Sequence, residues 1–420
     1  MALARVALLK RQELPSLLII IFIIAAYSWL IEYQNYTHLK RFDDARISAV
    51  VMKQYTKHNS RGSYQLLKLK SDQGFSFYTS VNKNFEDVVD REVTLTMATD
   101  RLTFRDFLSS FYAKSYAISI NPDKSYKHAL NRHLDELHPN TDVSAIYKAL
   151  ITATPLPSTL AQSFSNLGIS HLLAISGFHL GVLSALLYFL LRPAYRFFHA
   201  RFFPYRHANR DLFIAVIITL LLYMLFLDSP PSLLRAFAML LVGFILFDRG
   251  FEVLSMQTLS VSVILLLALF PRLFFALGFW LSVAGVFYIF LFMIHFKTRS
   301  RLFQFALLPI WVYAMMLPFS LFIFGSFSLY HPLSILWTLL FSIFYPLSLA
   351  LHIVGFGASF DEVLLWLISM GDEGVKVVLP LWVFGAHLLL SITAIKAKYA
   401  LYALSLLSLF IVIYAVYHVA

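Results

Sequence analysis

The sequence contains no cysteine. That excludes disulfide frameworks, thiolate zinc sites and a cysteine nucleophile. Charge is scarce as well: Asp, Glu, Lys and Arg make up 14% of the 420 residues, against roughly 25% in an average soluble domain. No G-x-x-x-x-G-K-[ST] element occurs, so no P-loop cradles a nucleoside triphosphate, and any driven process draws on a partner or an ion gradient. H-E-x-x-H and H-x-H are missing too, which removes the helical zinc-protease pattern. These absences point to a chain without metal, cofactor or catalytic machinery of its own.

Hydrophobic residues, at 59%, fill the space that charge leaves. They come in runs of the length that crosses a bilayer, about 20 residues each. The first, 15–31, follows Arg5, Lys10 and Arg11 and has no small-residue cleavage site, so it reads as an uncleaved signal anchor with a cytoplasmic N-terminus. Nine more lie near 171–191, 212–228, 232–247, 253–270, 273–296, 302–324, 332–354, 377–395 and 399–419. Together they predict about ten transmembrane helices. Arginines at 192, 196, 201, 206 and 210, and the basic cluster Lys297, Arg299 and Arg301, put two loops on the side of the N-terminus. Lys396 and Lys398 break that parity, and a half-span at 359–374 would restore it. The net charge of +11 is in large part this loop asymmetry.

Residues 33–150 are soluble in character. The stretches 46–55, 63–69, 75–80 and 92–99 are rich in β-formers, and Asp72-Gln73-Gly74 separates two of them as a hairpin turn. Short strands at this spacing predict a small barrel or sandwich. The segment 103–118 has apolar residues at helical spacing and predicts an amphipathic helix; 125–151 predicts one or two polar helices. Between residues 33 and 70 lie eight basic residues against Asp43 and Asp44. Lys53, Lys57, Arg61 and Lys68 alternate with Tyr55 and Tyr64, a pattern that suits a single strand of nucleic acid, since cations follow phosphates and rings stack on bases. A solvated face beside anionic lipid produces the same pattern.

Within the apolar part, 168–187 (GISHLLAISGFHLGVLSALL) is unusually polar. Ser176 and His179 share a helix face, and Gly177 and Gly181 form a small-residue face that admits a neighbouring helix. His171 sits at the outer boundary. Arg235, with Asp228 just before it, places a charge in a span, at a cost of about 2.5–3.5 kcal/mol at the membrane centre. Gln257 belongs to another polar span, and Pro309, Pro318, Pro346 and Pro380 interrupt others. Tightly packed, hydrogen-bonded helices account for these residues; so does a path for an anion.

The string His171-Leu172-Leu173-Ala174-Ile175-Ser176-Gly177-Phe178-His179-Leu180-Gly181 closely resembles the signature of the ComEC family of bacterial DNA-uptake channels. PPSLLRAFAM (230–239) resembles a second family element, and PRLFFALGFWLSVAGV (271–286), with Ser282, a third. The resemblance implies an α-helical polytopic membrane bundle with a small N-terminal external OB-like β-barrel domain. Its divisions are an anchor at 1–32, the OB-like domain at 33–120, an amphipathic helical connector at 121–165 and the channel domain at 166–420. It implies passage of single-stranded DNA through the bacterial cytoplasmic membrane, with membrane lipid, a periplasmic DNA receptor and a cytosolic motor or helicase as partners; a homodimer is left open. Larger members end in a metallo-β-lactamase-like domain that this sequence does not show. His171, Ser176, Gly177, His179, Gly181, Asp228, Arg235, Gln257 and Ser282 are then the residues expected to line or gate the path. Two other readings stand beside it: a secondary transporter of a smaller anion, and an intramembrane serine hydrolase using Ser176 and His179.

Overall fold

The computed structural model describes residues 14–59, 62–89, 91–121, 126–173, 177–227, 231–248, 255–371 and 374–419. The chain divides into two compact units, one of 9–157 with 263–277 and one of 1–8, 158–262 and 278–420.

The first unit begins with α1 (Leu14–Leu39). Its apolar part presents Leu18, Ile19 and Phe22 outward, as a lipid-facing helix must. The helix continues past residue 32, and its last turns join the soluble core: Leu39 packs among the buried sheet residues with Tyr36 against them, and the Tyr36 hydroxyl donates to the Leu102 carbonyl at 3.0 Å. Then follow β1 (Asp44–Asn59), β2 (Gly62–Ser71), β3 (Ser76–Asn82), β4 (Glu92–Ala98), α2 (Phe104–Leu108), β5 (Phe111–Tyr112) and β6 (Ser115–Ile120).

Alternation decides which face of the sheet is buried. Ile47, Ala49 and Val51 of β1, Leu67 and Leu69 of β2, Phe77 of β3 and Val93, Leu95 and Met97 of β4 form one core. The strands run in the order β5-β3-β2-β1-β4-β6. The expected closed barrel is replaced by this six-stranded sheet. β5 pairs parallel with β3, whereas β6 pairs antiparallel with β4. Between them the chain changes edges: the Ala113 N–H bonds to Tyr78 O and the Lys114 carbonyl accepts from Ala98 N. The amphipathic helix expected over 103–118 is also corrected. Only α2, five residues with a Thr103–Asp106 capping box, is helical. Phe111 and Tyr112 carry the helical spacing but go to the free edge of β3, where pairing outweighs local preference.

The polar helices expected over 125–151 are α3 (Tyr126–Leu137) and α4 (Thr141–Thr152), the latter capped by Asn140. Desolvation of the Asp135 carboxyl opposes its ionisation, but bonds from Lys148 and Ser144 prevail and hold it below the usual carboxylate range. The turn Pro271–Phe275 completes the unit. From it Arg272 forms a two-pronged ion pair with Glu32 of α1, Nε to Oε1 at 2.9 Å and Nη2 to Oε2 at 2.7 Å. Its guanidinium lies 4.8 Å from the Phe107 ring centroid.

The second unit holds α5 (Ser158–Asn166), α6 (Ser170–Leu173), α7 (Gly177–Phe202), α8 (Ala208–Phe226), α9 (Pro231–Asp248), α11 (Leu277–Phe296), α12 (Arg301–Ile323), β7 (Ser326–Phe327), α13 (Ser334–Val354), α14 (Asp361–Ser369), β8 (Val375–Lys376), α15 (Leu381–Thr393) and α16 (Lys398–Tyr417); α10 (Met256–Leu269) runs from this unit into the first. Among the described residues seven helices are long and apolar enough to cross a membrane: α1, α7, α8, α11, α12, α13 and α16. The other three of the ten expected spans are not shown. The runs at 232–247, 253–270 and 377–395 appear as the shorter apolar stretches Ala236–Ile245, Met256–Leu269 and Leu381–Thr393. Of the expected span 171–191, residues 171–173 belong to α6 and 177–191 to α7. Two apolar cores hold the later helices. Tyr288, Leu291 and Phe292 meet Trp311, Met315, Leu401 and Leu404. Leu317 and Leu321 meet Phe327, Val377, Ile411 and Ala415.

Candidate functional site

The sheet of the first unit has one buried and one outward face, and a β-bulge decides what the outward face carries. The β1–β2 register shifts between Val51 and Lys53, so one extra residue is accommodated at Met52 and the following side chains are re-aimed. Lys53 then stands opposite Lys68, Tyr55 opposite Leu66 and Lys57 opposite Tyr64. Across the next ladder Lys68 faces Tyr78, and Tyr64 faces Asn82. Tyr112 of β5 adjoins Tyr78, its hydroxyl 2.7 Å from Ser80 Oγ.

Lys53, Tyr55, Lys57, Tyr64 and Lys68 thus share one face. Tyr78 and Tyr112 extend it, and residue-by-residue reading of the sequence missed both. Tyr78 lies in the β-rich stretch 75–80 and Tyr112 in the segment read as a helix, and only pairing brings them to the basic run. Arg61 lies outside the described residues. Lys68 Nζ is 5.6 Å from the Tyr78 ring centroid, and Lys57 Nζ is 6.0 Å from that of Tyr55. Two like charges directly opposite in a ladder repel. Desolvation of the Lys53 ammonium, and after it the Lys68 charge, lowers the Lys53 pKa from its ordinary value. An anion laid between the two lysines relieves that repulsion.

The polar motif of the second unit divides differently. Ser176 and Asp228 lie outside the described residues, and of Arg235 only the place in α9 is described. His179 is 1% exposed; its ring sits edge-on to Phe341 and Tyr345 at 5.0 and 4.8 Å. His171 is exposed at the surface of the unit, with Nε2 3.4 Å from Thr338 Oγ1. The close helix approach expected at Gly177 and Gly181 is not forced: a Cβ on Gly177 meets Ala236 Cβ at 3.7 Å, and one on Gly181 meets nothing within 4 Å. The glycine the motif requires is Gly168. Its φ is +72°, and a Cβ there would lie 2.6 Å from the His331 ring. Gly168→Ala is expected to cost about 1–3 kcal/mol, read as a lower melting temperature of the detergent-solubilised chain. An unchanged melting temperature would show that the ring is free to move aside.

Gln257 and Ser282 are half-buried on α10 and α11. The polar residues at the start of α10 are in part a cap: Ser255 Oγ accepts from Thr258 N at 3.1 Å. A buried network escaped sequence reading. The Tyr288 hydroxyl is 2.8 Å from both His387 Nε2 and Ser391 Oγ, and Trp311 Nε1 donates to Tyr288 O at 3.0 Å. It ties α11, α12 and α15 together. Its only signal in the sequence is a histidine inside an apolar run.

The competence protein family model matches residues 153–419. The chain belongs to this family. The match covers nearly all of the second unit and points to a role in DNA uptake during competence. No curated protein and no solved structure matches the chain. Membership and the seven long apolar helices make this a membrane protein of the competence family, and its second unit carries both the polar motif and the buried network.

Proposed function

We propose that the chain is a ComEC-type channel that passes single-stranded DNA across the bacterial cytoplasmic membrane into the cytoplasm. The observation that carries the reading is the outward sheet face, on which Lys53 opposes Lys68 among Tyr55, Tyr64, Tyr78 and Tyr112. Family membership supplies the context. Phosphates neutralise the lysines and bases stack on the rings, which is the division of labour in sequence-tolerant single-strand binding.

In this reading the sheet unit lies outside and collects the strand, and the N-terminus is cytoplasmic. A periplasmic receptor hands the strand over and a cytosolic motor draws it in. His171, Gly177, Gln257 and Ser282 border the path, together with Ser176, Asp228 and Arg235. His179, packed between two aromatic rings, positions α7 against α13. Among the described residues no observation favours a small-anion carrier or a serine hydrolase.

The test is uptake of labelled DNA. A strain lacking the gene is expected to keep DNA at the cell surface and to admit none to the cytoplasm; uptake at the parental level overturns the reading. Binding is also expected to depend on pH. The Lys53 pKa is lowered in the free chain, and a bound phosphate raises it again. Binding therefore takes up protons between those two values, and affinity falls as pH rises through the free-chain value. Fluorescence anisotropy of a labelled oligonucleotide with the full chain in detergent reads this. Lys53→Arg, which stays charged, is expected to flatten the alkaline loss, and an unchanged profile in that variant refutes the assignment.

A further inference from the structure

We propose that the seam between α5 and the β7–β8 ribbon is a gate that opens to admit the strand into the bundle. The proposal rests on the strand-conducting function above.

Three breaks in helical structure meet at this seam. α5 has nine residues and at about 1.5 Å per residue is far too short to cross a bilayer. It ends at Asn166. The chain leaves α12 through Gly325, at φ +65°, into β7. β8 returns antiparallel to it, Ser326 opposite Lys376 and Phe327 opposite Val375. Buried backbone outside a helix needs hydrogen-bond partners within the protein. Here protein covers it, and the covering is polar.

Ser165 Oγ lies 2.9 Å from Ser326 Oγ. Asn166 Nδ2 donates to Gly371 O at 2.8 Å, and Ser328 Oγ donates to Asn166 O at 2.9 Å. Asn166, Ser326 and Ser328 are all buried. The approach is as close as side chains permit. A Cβ on Gly371 would fall 2.5 Å from Ser163 O, and one on Gly374 would overlap the Asn166 amide.

The two sides of the ribbon differ in chemistry. Phe327 and Val377 are fixed in the apolar core of α12 and α16. Toward α5 the ribbon offers serine hydroxyls and glycine backbone. An apolar seal parts at the cost of exposing its surface to water, whereas hydroxyls, amides and carbonyls exchange their partners for water or for a sugar-phosphate chain at little net cost. Glycines flank the seam at Gly168 and Gly325, both with positive φ, where changes of backbone direction meet least resistance. α5 itself leads through Gly168 into α6, so parting of the seam moves the segment that carries His171.

The chain lacks cysteine, which makes the test clean. The full-length Ser165→Cys, Ser326→Cys double variant is expressed in a strain without the native copy, with each single variant as control. Oxidation is expected to join the two thiols and to reduce cytoplasmic uptake of labelled DNA to the level of the deletion strain. Dithiothreitol is expected to restore it, and the single variants are expected to take up DNA under both conditions. Dibromobimane, which fluoresces when it bridges two thiols, provides a second lock. Full uptake by a fully cross-linked protein overturns the gate and makes the seam a rigid joint. Failure of both cross-links shows that the seam is not closed in the resting protein and overturns it equally. If instead the native chain restores no uptake to the deletion strain, it is the strand-conducting function that fails.

Discussion

The triple variant Lys53→Gln, Lys57→Gln, Lys68→Gln is expected to bind single-stranded DNA about 100-fold more weakly than the parent at about 0.1 M salt, with a salt slope shallower by about 2. The magnitude follows from counterion release. Each phosphate neutralised on a single strand contributes roughly 0.7 to the slope, so three lost contacts remove about two decades at that salt concentration. Folding should survive. All three residues share the outward face, and the variant removes the repulsion between Lys53 and Lys68, so its melting temperature should equal or exceed the parent's. Replacing Tyr64 and Tyr78 with leucine probes the other half of the site. Stacking contributes about 1–3 kcal/mol per base and carries no counterion term, so affinity drops while the slope stays. A lysine variant that weakens binding without changing the slope would mean that these lysines do not touch phosphate.

Breaking the Arg272–Glu32 pair from one side is expected to destabilise the first unit by about 3 kcal/mol, because the surviving charge stays largely enclosed without its partner. The side chains are 19% and 16% exposed, and both prongs are made. Arg272→Met leaves a carboxylate. Glu32→Leu leaves a guanidinium whose Nη1 is already buried without a hydrogen bond, held by Phe107 through its ring face. The double variant Glu32→Leu, Arg272→Met removes both charges and is expected to recover most of the loss. Thermal unfolding in detergent measures all three. If the double variant is as unstable as the sum of the singles, the pair is not coupled as the geometry requires. Arg272 belongs to the Pro271–Phe275 turn and Glu32 to α1, so within the first unit the pair joins two segments 240 positions apart.

Legibility in the sequence followed the length of each pattern. The β-formers over 46–55 announced β1, and the Asp72-Gln73-Gly74 turn joins β2 to β3 as expected. The same reasoning failed at 103–118. Phe104, Phe107 and Phe111 fit a helix, but a free strand edge lay within reach of Phe111 and Tyr112. β7 and β8 were invisible because two residues have no period, and their partners are about fifty positions away. The bulge at Met52 was equally silent, although it aims Lys53, Tyr55 and Lys57 outward. In the motif the sequence drew attention to Gly177 and Gly181, while the close contact falls on Gly168.

By itself the sequence determined that this is a membrane protein with a β-rich insert, that it belongs with the competence proteins, and that its cations and rings cluster between residues 53 and 68. Those properties reside in composition, in runs and in an uncommon string of residues. Tertiary structure decided the rest. It set Lys53 against Lys68 and added Tyr78 and Tyr112 to their face. It brought Asn166 to Gly371 across 205 positions. Such pairings depend on hydrogen bonds between residues remote in the chain, and no local period records them.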